Sequence, residues 1–393
     1  MPMPDFQRDA VALAQQLIAF DTINPPGHEA ACADFVRQLL QDLGFRVEGY
    51  EHAPGRTSLV ARAGRIGGAR SLCFVGHLDT VPLGQSAWQQ DPFAGRIVDG
   101  RLYGRGATDM KSGVAAFIVA AASQLASQPA DSELVLLLVA GEETGCEGSG
   151  HLAGLGLDLG HFDGVLVGEP SCNFPLLGHK GALWLNAVAK GVSAHGAMPE
   201  RGVNAVRKAS EMVRKLDGFF SEDPGHAVLG KPSLNIGTFH SGVNVNSVPD
   251  WANVGLDLRT VPGMAHGALQ AQLRELLAPD LHELTVQVSM PDVYTPMDDP
   301  WVQRVFAIVE RENGSRAEAR TASYYTDASA LKPVLGRAPL LILGPGEPSV
   351  MHQTDEYCEV DRIHEAVRLY SAIIQETLLV DQGAASAAET QLA

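Results

Sequence analysis

Cysteines are few in this sequence, and their spacing is typical neither of a disulfide framework nor of a metal site. Their number is odd and no CxxC pair occurs; they are Cys32, Cys73, Cys146, Cys172 and Cys358. A disulfide-stapled secreted module is excluded by this pattern and by the length of 393 residues. We expect a reduced, cytoplasmic protein whose thiols lie in the core or on the surface and are not ligands.

Basic residues are scarce relative to acidic ones. Lys and Arg together number 29 against 46 Asp and Glu, so the formal net charge is −17. An acidic surface of this kind disfavours partnership with nucleic acid and with anionic membranes. The charge balance identifies no substrate.

Targeting and membrane segments are not evident either. The first 20 residues, MPMPDFQRDAVALAQQLIAF, contain no basic region followed by a long apolar run, so we expect no secretory signal. We expect no apolar stretch to approach the ~20 residues of a membrane span. The C-terminal segment DQGAASAAETQLA is expected to be disordered.

What the sequence does contain is a series of apolar strands alternating with helices. The segments SLCFVGHLDT, ELVLLLVAGEE and FDGVLVGEP are typical of buried strands, and helical spacing separates them. This alternation predicts an α/β sheet covered on both faces. In such sheets, ligands lie outside the carboxyl ends of the strands.

The pattern changes near Gly178. Residues 178–290 read as β-α-β-β-α-β, the ferredoxin-like order, and the parent pattern then resumes with WVQRVFAIVERE. The predicted fold is therefore an α/β domain of residues 1–177 and 291–393, with a mixed sheet flanked by helices, interrupted by a ferredoxin-like α+β domain of residues 178–290.

Acidic residues and histidines recur at the predicted strand ends. Taken singly, each has an ordinary structural interpretation: Asp109 could cap a helix, and His352 could lie in a surface loop. Together they form a pattern, since His nitrogen and carboxylate oxygen are ligands of Zn²⁺ and similar cations. Two such ions need a bridging carboxylate, terminal ligands and a base nearby. Five residues supply the ligands, and Asp79 and Glu142 are left over; the five are His77, Asp109, Glu143, Glu169 and His352.

Five blocks make a resemblance specific. GHLDTVP, DGRLYGRGATDMKSG, AGEETG, GEPS and GPGEPSVMHQTDEY occur in this order between residues 76 and 357. They resemble the signature blocks of the dinuclear zinc peptidase and deacylase family, which includes acetylornithine deacetylase, succinyl-diaminopimelate desuccinylase, aminoacylase and the glutamate-releasing carboxypeptidases. The predicted insertion falls where that family has its lid, or dimerisation, domain.

The resemblance implies a role for each matching residue. Asp109 would bridge two Zn²⁺ ions, which Co²⁺ or Mn²⁺ could replace. His77 and Glu169 would bind the first metal, and Glu143 and His352 the second. Glu142 would be the general base toward a metal-activated water, and Asp79 would orient His77.

Further roles are implied for the insertion and for a glycine loop. His195, in GVSAHGAMPE, would complete the catalytic set by stabilising the oxyanion in a partner subunit's site, which implies a homodimer. Asn246 and Arg259 would hold the substrate, and an Arg fork suits a carboxylate. Gly344 and Gly346 would approach the substrate backbone, where only glycine permits close contact.

The resemblance implies cleavage of the amide bond of an N-acyl amino acid. Alternatives are a dipeptidase or glutamate-releasing-type carboxypeptidase and, further off, a C–N hydrolase of a catabolic substrate. A metal-dependent binding protein is disfavoured because Glu142 and all five ligands are present. The blocks do not decide between acyl groups or amino acids.

Overall fold

The structure is a computed structural model that describes residues 8–378. The segment 381–393, for which we expect disorder, and the start of the N-terminal segment lie outside the described residues. The α-helices are α1 Ala10–Ile18, α2 Ala30–Asp42, α3 Ser112–Gln124, α4 Glu147–Gly154, α5 Ala205–Leu216, α6 His266–Leu277, α7 Pro300–Asn313, α8 Ala328–Leu335 and α9 Val360–Leu378. The strands are β1 Arg46–Ala53, β2 Arg56–Gly64, β3 Arg70–His77, β4 Arg96–Val98, β5 Arg101–Tyr103, β6 Ser132–Val139, β7 Gly164–Val167, β8 Gly178–His179, β9 Gly181–Lys190, β10 Ser233–Ser241, β11 Trp251–Thr260, β12 Glu283–Met290, β13 Val293–Tyr294, β14 Leu340–Ile342 and β15 Tyr357–Glu359.

The described chain divides into two compact units. The first, called unit 1, runs to Gly178 and continues through Thr295–Arg320 and from Thr326 onward. The second, unit 2, comprises His179–Tyr294 and Thr321–Tyr325.

Unit 1 is built on a six-stranded mixed sheet in the order β1-β2-β6-β3-β7-β14. The last four strands are parallel, whereas β1 and β2 form an antiparallel hairpin and β2 pairs antiparallel with β6. Strand β6 is buried along its whole length, as its continuous apolar run predicts for a strand covered on both faces. The prediction of a mixed α/β sheet flanked by helices is confirmed.

Close packing of α3 against the sheet depends on small residues. A Cβ atom on Gly113 would lie 2.3 Å from the main-chain oxygen of Gly168, so only glycine lets the helix approach the end of β7. Phe74 of β3 stacks on Phe117 of α3, with ring centroids 4.0 Å apart. The Tyr370 hydroxyl of α9 donates a hydrogen bond to the main-chain oxygen of Leu343, 2.5 Å away. The helices thereby hold the strand ends in place.

One helical stretch is apolar and long enough to span a membrane by length and composition alone. It comprises the 21 residues 107–127, and the expectation that no stretch approaches this length is wrong. Of its most apolar window, 67% is buried within the structure, and α3 packs on α1 and α9. A core helix passes the same test, and this stretch contains the buried Asp109.

Unit 2 contains a four-stranded antiparallel sheet in the order β10-β11-β9-β12. The chain order β9-α5-β10-β11-α6-β12 is the predicted ferredoxin-like β-α-β-β-α-β. Buried and half-buried residues alternate along β9 and β11, and their buried faces pack on α5 and α6 around Met212, Leu256 and Leu273. The ferredoxin-like prediction is confirmed.

Candidate active site

Acidic and histidine side chains lie at the carboxyl ends of three neighbouring parallel strands of the unit 1 sheet. His77 ends β3 and lies opposite Val139 of β6 in the register, while Val75 of β3 lies opposite Val167 of β7. Strands β6 and β7 end shortly before Glu142 and Glu169, so these two side chains lie at the same end of the sheet as His77. Parallel pairing places the carboxyl ends of successive strands together.

The first cluster comprises His77, Asp109 and Glu169, all buried. The Nε2 atom of His77 lies 3.1 Å from Asp109 Oδ1 and 3.7 Å from Glu169 Oε1. The other ring nitrogen, Nδ1, lies 3.0 Å from the main-chain oxygen of Asp79. A proton on Nδ1 donated to that oxygen would leave Nε2 as an acceptor that faces the carboxylates.

The second cluster comprises Asp109, Glu143 and His352. His352 Nε2 lies 3.1 Å from Glu143 Oε2 and 3.3 Å from Asp109 Oδ2. Asp109 therefore presents one carboxylate oxygen to each cluster, as a bridging ligand would. His352 has a positive φ of 60°, and its side chain is half exposed.

The donor chemistry of both clusters fits divalent cations. Each cluster offers one imidazole nitrogen and carboxylate oxygens, the donors that zinc and related ions take. Glu143 Oε1 is buried and has no hydrogen-bond partner among residues 8–378. A buried carboxylate oxygen without a partner is costly, and a bound cation would satisfy it.

The pKa values of these side chains carry the same signature of crowded buried carboxylates. Burial, and then the negative charge of Asp109, raise the pKa of Glu143 to about 7. Hydrogen bonds to Asp109 and Glu143 raise the pKa of His352 to about 10. Burial opposes a charged His77, but Asp109 and Glu169 outweigh burial and raise its pKa well above the usual value. Protons thus supply the positive charge that a cation would otherwise bring.

Glu142 belongs to neither cluster, although its neighbour Glu143 does. Its side chain is buried, and its Oε1 accepts a long hydrogen bond from the Cys146 thiol, with Sγ 3.9 Å away. Burial and then the charge of Glu169 raise the pKa of Glu142 well above the ordinary value. The two adjacent glutamates therefore occupy different environments.

Asp79 is bound mainly to the turn that carries the two glutamates. Its Oδ1 accepts hydrogen bonds from the main-chain N–H groups of Gly141 and Glu142 at 3.0 and 3.1 Å, and Oδ2 accepts one from Glu143 at 3.1 Å. The Asp79 carboxylate lies 3.6 Å from His77 Nδ1, which is nearer to the main-chain oxygen of Asp79. The Asp79 side chain thus holds the glutamate turn, and its role in orienting His77 stays a prediction.

Asn24 is a contributor that the sequence analysis missed. Its Nδ2 donates to Asp79 Oδ2 at 2.9 Å and to Thr144 Oγ1 at 2.8 Å, and the residue is buried. Asn24 precedes the two prolines of INPPG, a turn-like segment that could have drawn attention to it.

The two glycines of the predicted substrate loop pack against the main chain next to two candidate metal ligands. A Cβ on Gly344 would lie 2.2 Å from the Gly168 oxygen, and one on Gly346 would lie 2.2 Å from the Thr108 oxygen. Glycine at both positions therefore permits close packing beside Glu169 and Asp109. Contact of these glycines with substrate stays a prediction.

Unit 2 brings two of its three candidates together. His195 forms a β-bridge with Ser247, and the Gly196 N–H donates to the Asn246 oxygen at 2.7 Å, so His195 and Asn246 are neighbours; both are exposed. Arg259, on β11, pairs with Asp257 at 3.0 Å.

The comparisons with known proteins agree with this geometry. The sequence profile described as peptidase family M20/M25/M40 matches residues 73–376. The chain belongs to this family. The predicted resemblance is therefore confirmed, and the chain is a hydrolase of the metallopeptidase type that acts on C–N bonds, as predicted.

Two relatives with assigned names match nearly the whole chain. A succinyl-diaminopimelate desuccinylase of Cereibacter sphaeroides is 32% identical, covering 94% of this chain and 98% of its own. An acetylornithine deacetylase of Proteus mirabilis is 29% identical, covering 95% of this chain and 97% of its own.

Among solved structures, an M20 metallo-carboxypeptidase of Sulfolobus solfataricus is similar with a TM-score of 0.80 and 18% identity, covering 95% of this chain and all of its own. A Bacillus subtilis protein described as a dinuclear metal-binding peptidase of the M20 family has a TM-score of 0.70 and 14% identity, covering 95% of this chain and 98% of its own. These two likenesses show the fold.

Proposed function

We propose that this chain is a metal-dependent amidohydrolase that cleaves the amide bond of an N-acyl amino acid, releasing a carboxylic acid and a free amine. The observation that carries the proposal is the pair of ligand clusters that share Asp109, with Glu142 beside them but in neither. The full-length similarity to a desuccinylase and a deacetylase of N-acyl amino acids supports the substrate class.

The metal centre follows from the clusters. His77, Asp109 and Glu169 would hold one ion, and Asp109, Glu143 and His352 the other. We propose two Zn²⁺ per subunit, with Co²⁺ or Mn²⁺ as substitutes. When bound, such ions activate a water and polarise the amide carbonyl.

Glu142 would handle the protons of the reaction. Its carboxylate would accept a proton from the attacking water and deliver it to the leaving nitrogen, so that one water is consumed for each amide bond broken. Burial, and then the charge of Glu169, raise the pKa of Glu142, and a raised pKa favours uptake of a proton by this carboxylate. The Asp79 carboxylate would hold Glu142 in place by accepting the main-chain N–H of Glu142.

Unit 2 would serve as the lid and dimerisation domain, with residues 178–290 as its predicted extent. Strand β10 lies at an edge of its sheet, and among the described residues it pairs with β11 only. The following loop exposes Val243 and Val245 completely. Pairing two such edges in a homodimer would cover them, and exposed His195 would then serve the site of the partner subunit.

Arg259 and Asn246 would hold the carboxylate end of the substrate. Arg259 already pairs with Asp257, whose Oδ1 also accepts from Trp184 Nε1 at 3.0 Å. This pair would set the guanidinium plane before a substrate carboxylate arrives. A cytoplasmic location is also proposed, since all five cysteines are free thiols.

A substrate panel tests the proposal. Metal-loaded protein is incubated with N-succinyl, N-acetyl and N-formyl amino acids and with dipeptides, and release of free amine is followed. We expect turnover of at least one N-acyl amino acid with higher kcat/KM than any dipeptide. Turnover confined to dipeptides would replace the proposal by the peptidase alternative, and no turnover of any compound would contradict both.

A further inference from the structure

Glu356 is a buried carboxylate that serves a single neighbouring segment. Only 1% of the residue is exposed. Its Oε1 accepts the main-chain N–H groups of Thr108 at 2.8 Å and Asp109 at 3.1 Å. Its Oε2 accepts the Gly106 N–H at 3.1 Å and Arg105 Nη1 at 2.5 Å. Four donors from residues 105–109 thus converge on one side chain.

The segment that Glu356 holds is irregular. Residues Ala107–Lys111 form a kinked turn, inside which Asp109 has a non-helical φ of −124° and ψ of 95° and Met110 a non-helical φ of −132°. Main-chain N–H groups in such a turn find no regular helical acceptors, and they are costly to bury without partners. The Glu356 carboxylate accepts two of them, from Thr108 and from Asp109 itself, and also the N–H of Gly106, which directly precedes the turn.

Glu356 is itself held firmly. It directly precedes β15, which pairs with β5 through Tyr357 and Tyr103, and its own main-chain oxygen accepts the Gly104 N–H at 3.0 Å. Arg105 donates from Nη2 to the Pro82 oxygen at 3.1 Å. Because Glu356 is fixed in this way, its carboxylate can fix the position of residues 105–109.

We propose that Glu356 is a positioning residue for the metal centre, which fixes the backbone of the shared ligand Asp109 and thereby the spacing of the two ligand clusters. This inference rests on the proposed function, because it concerns the same metal centre. Groups behind metal ligands commonly affect metal affinity about 10–100-fold when they are changed.

Glutamine is the informative replacement. A glutamine has the same shape, but its single oxygen can serve only one of the two pairs of donors, and its NH₂ group would face the other pair. Glu359 provides the matched control: it lies three residues along the chain, its side chain is 42% exposed, and its ion-pair partner is Arg362 at 3.5 Å. Glu359→Gln removes the same charge and leaves residues 105–109 untouched.

Metal binding without substrate decides the matter. Zn²⁺ is titrated calorimetrically into metal-free wild type, Glu356→Gln and Glu359→Gln, and the visible absorption of each Co²⁺-loaded protein reports the ligand geometry. We expect Glu356→Gln to bind Zn²⁺ about 10–100-fold more weakly with an altered Co²⁺ spectrum. Glu359→Gln should stay within about twofold of wild type, as surface changes usually do.

A merely structural role would give a different result. Glu356→Gln would then lower the melting temperature while metal affinity and the Co²⁺ spectrum matched wild type, and the inference would be overturned. Should Glu356→Gln fail to fold, Glu356→Asp decides: it keeps the charge but withdraws it by one methylene, and wild-type affinity in that variant would overturn the inference. Wild-type protein that binds no metal would overturn the proposed function as well.

Discussion

The two units of this chain hold their candidate functional residues in opposite ways. In unit 1, His77, Asp109 and Glu169 are buried. The Nε2 atom of His77 lies within 4 Å of a carboxylate oxygen of each of the two acids. In unit 2, His195 and Asn246 are exposed on neighbouring loops.

The difference follows from the cost of burying charge. Buried carboxylates must be compensated, so unit 1 surrounds Asp79 with N–H donors and gathers Asp109, Glu143 and Glu169 around positions that a cation could occupy. The exposed candidates of unit 2 are solvated and need no partner until another molecule binds. We therefore expect substitutions in unit 1 to change metal binding and turnover, and those in unit 2 to leave metal binding intact.

Metal removal should have the largest effect. Chelation followed by dialysis should abolish amide hydrolysis, and Zn²⁺ or Co²⁺ should restore it with about two ions bound per chain. Amine release and metal content are measured on the same samples. Full activity in metal-free protein would contradict the proposed chemistry of unit 1.

The adjacent glutamates should separate two functions within unit 1. Glu142→Gln should lower kcat about 10²–10⁴-fold while metal content is unchanged, because an amide cannot accept the water's proton. Glu143→Gln should lose metal from the second cluster. Calorimetry and kinetics on both variants check the assignment, which fails if both variants lose metal alike.

His195→Ala should lower kcat about 10²–10³-fold, as loss of an oxyanion donor does, without altering metal binding. Mixing it with Glu142→Gln sharpens the comparison. In a mixed dimer the site with native Glu142 would face the native His195 of the other chain, so the mixture should be far more active than either parent. Subunit exchange shown by mass without recovered activity would mean that His195 acts in its own chain or not at all.

Arg259→Met should mainly raise KM, by about 10–150-fold, since a hydrogen bond to a charged group contributes about 1.5–3 kcal/mol. Metal content and kcat should stay near wild type. Arg207→Met, on the exposed side of α5, is the matched control. A loss of metal in Arg259→Met would contradict the expectation that substitutions in unit 2 leave metal binding intact.

A pH dependence of metal affinity is the last expected effect. In metal-free protein, Glu143 has a pKa of about 7 and His352 of about 10, so both hold protons at pH 6. A cation must displace these protons, and raising the pH removes that competition. Zn²⁺ affinity should therefore strengthen by about tenfold per pH unit for each proton released. Titrations at pH 6 and 7 check this, and equal affinities would contradict it.

Much of unit 1 could be predicted from the sequence because its signals are local. An apolar run followed by acids and a histidine predicts a buried strand with ligands at its carboxyl end, and this placed His77 and Glu169 at one sheet edge. The membrane test shows the limit of local signals: residues 107–127 are apolar enough to span a bilayer, yet they pack in the core.

The sequence by itself determined the alternation of strands and helices, the ferredoxin-like insertion and the residue types that a metal centre needs, since these depend on periodicity and on the chemistry of each side chain. Only the tertiary structure decided that Asp79 holds the glutamate turn, that Asn24 supports Asp79 and that Glu356 holds the turn of Asp109. Those partners lie 55 to 251 residues apart in the chain. Hydrogen bonds over such separations depend on how the strands and loops pack, and no local pattern encodes them.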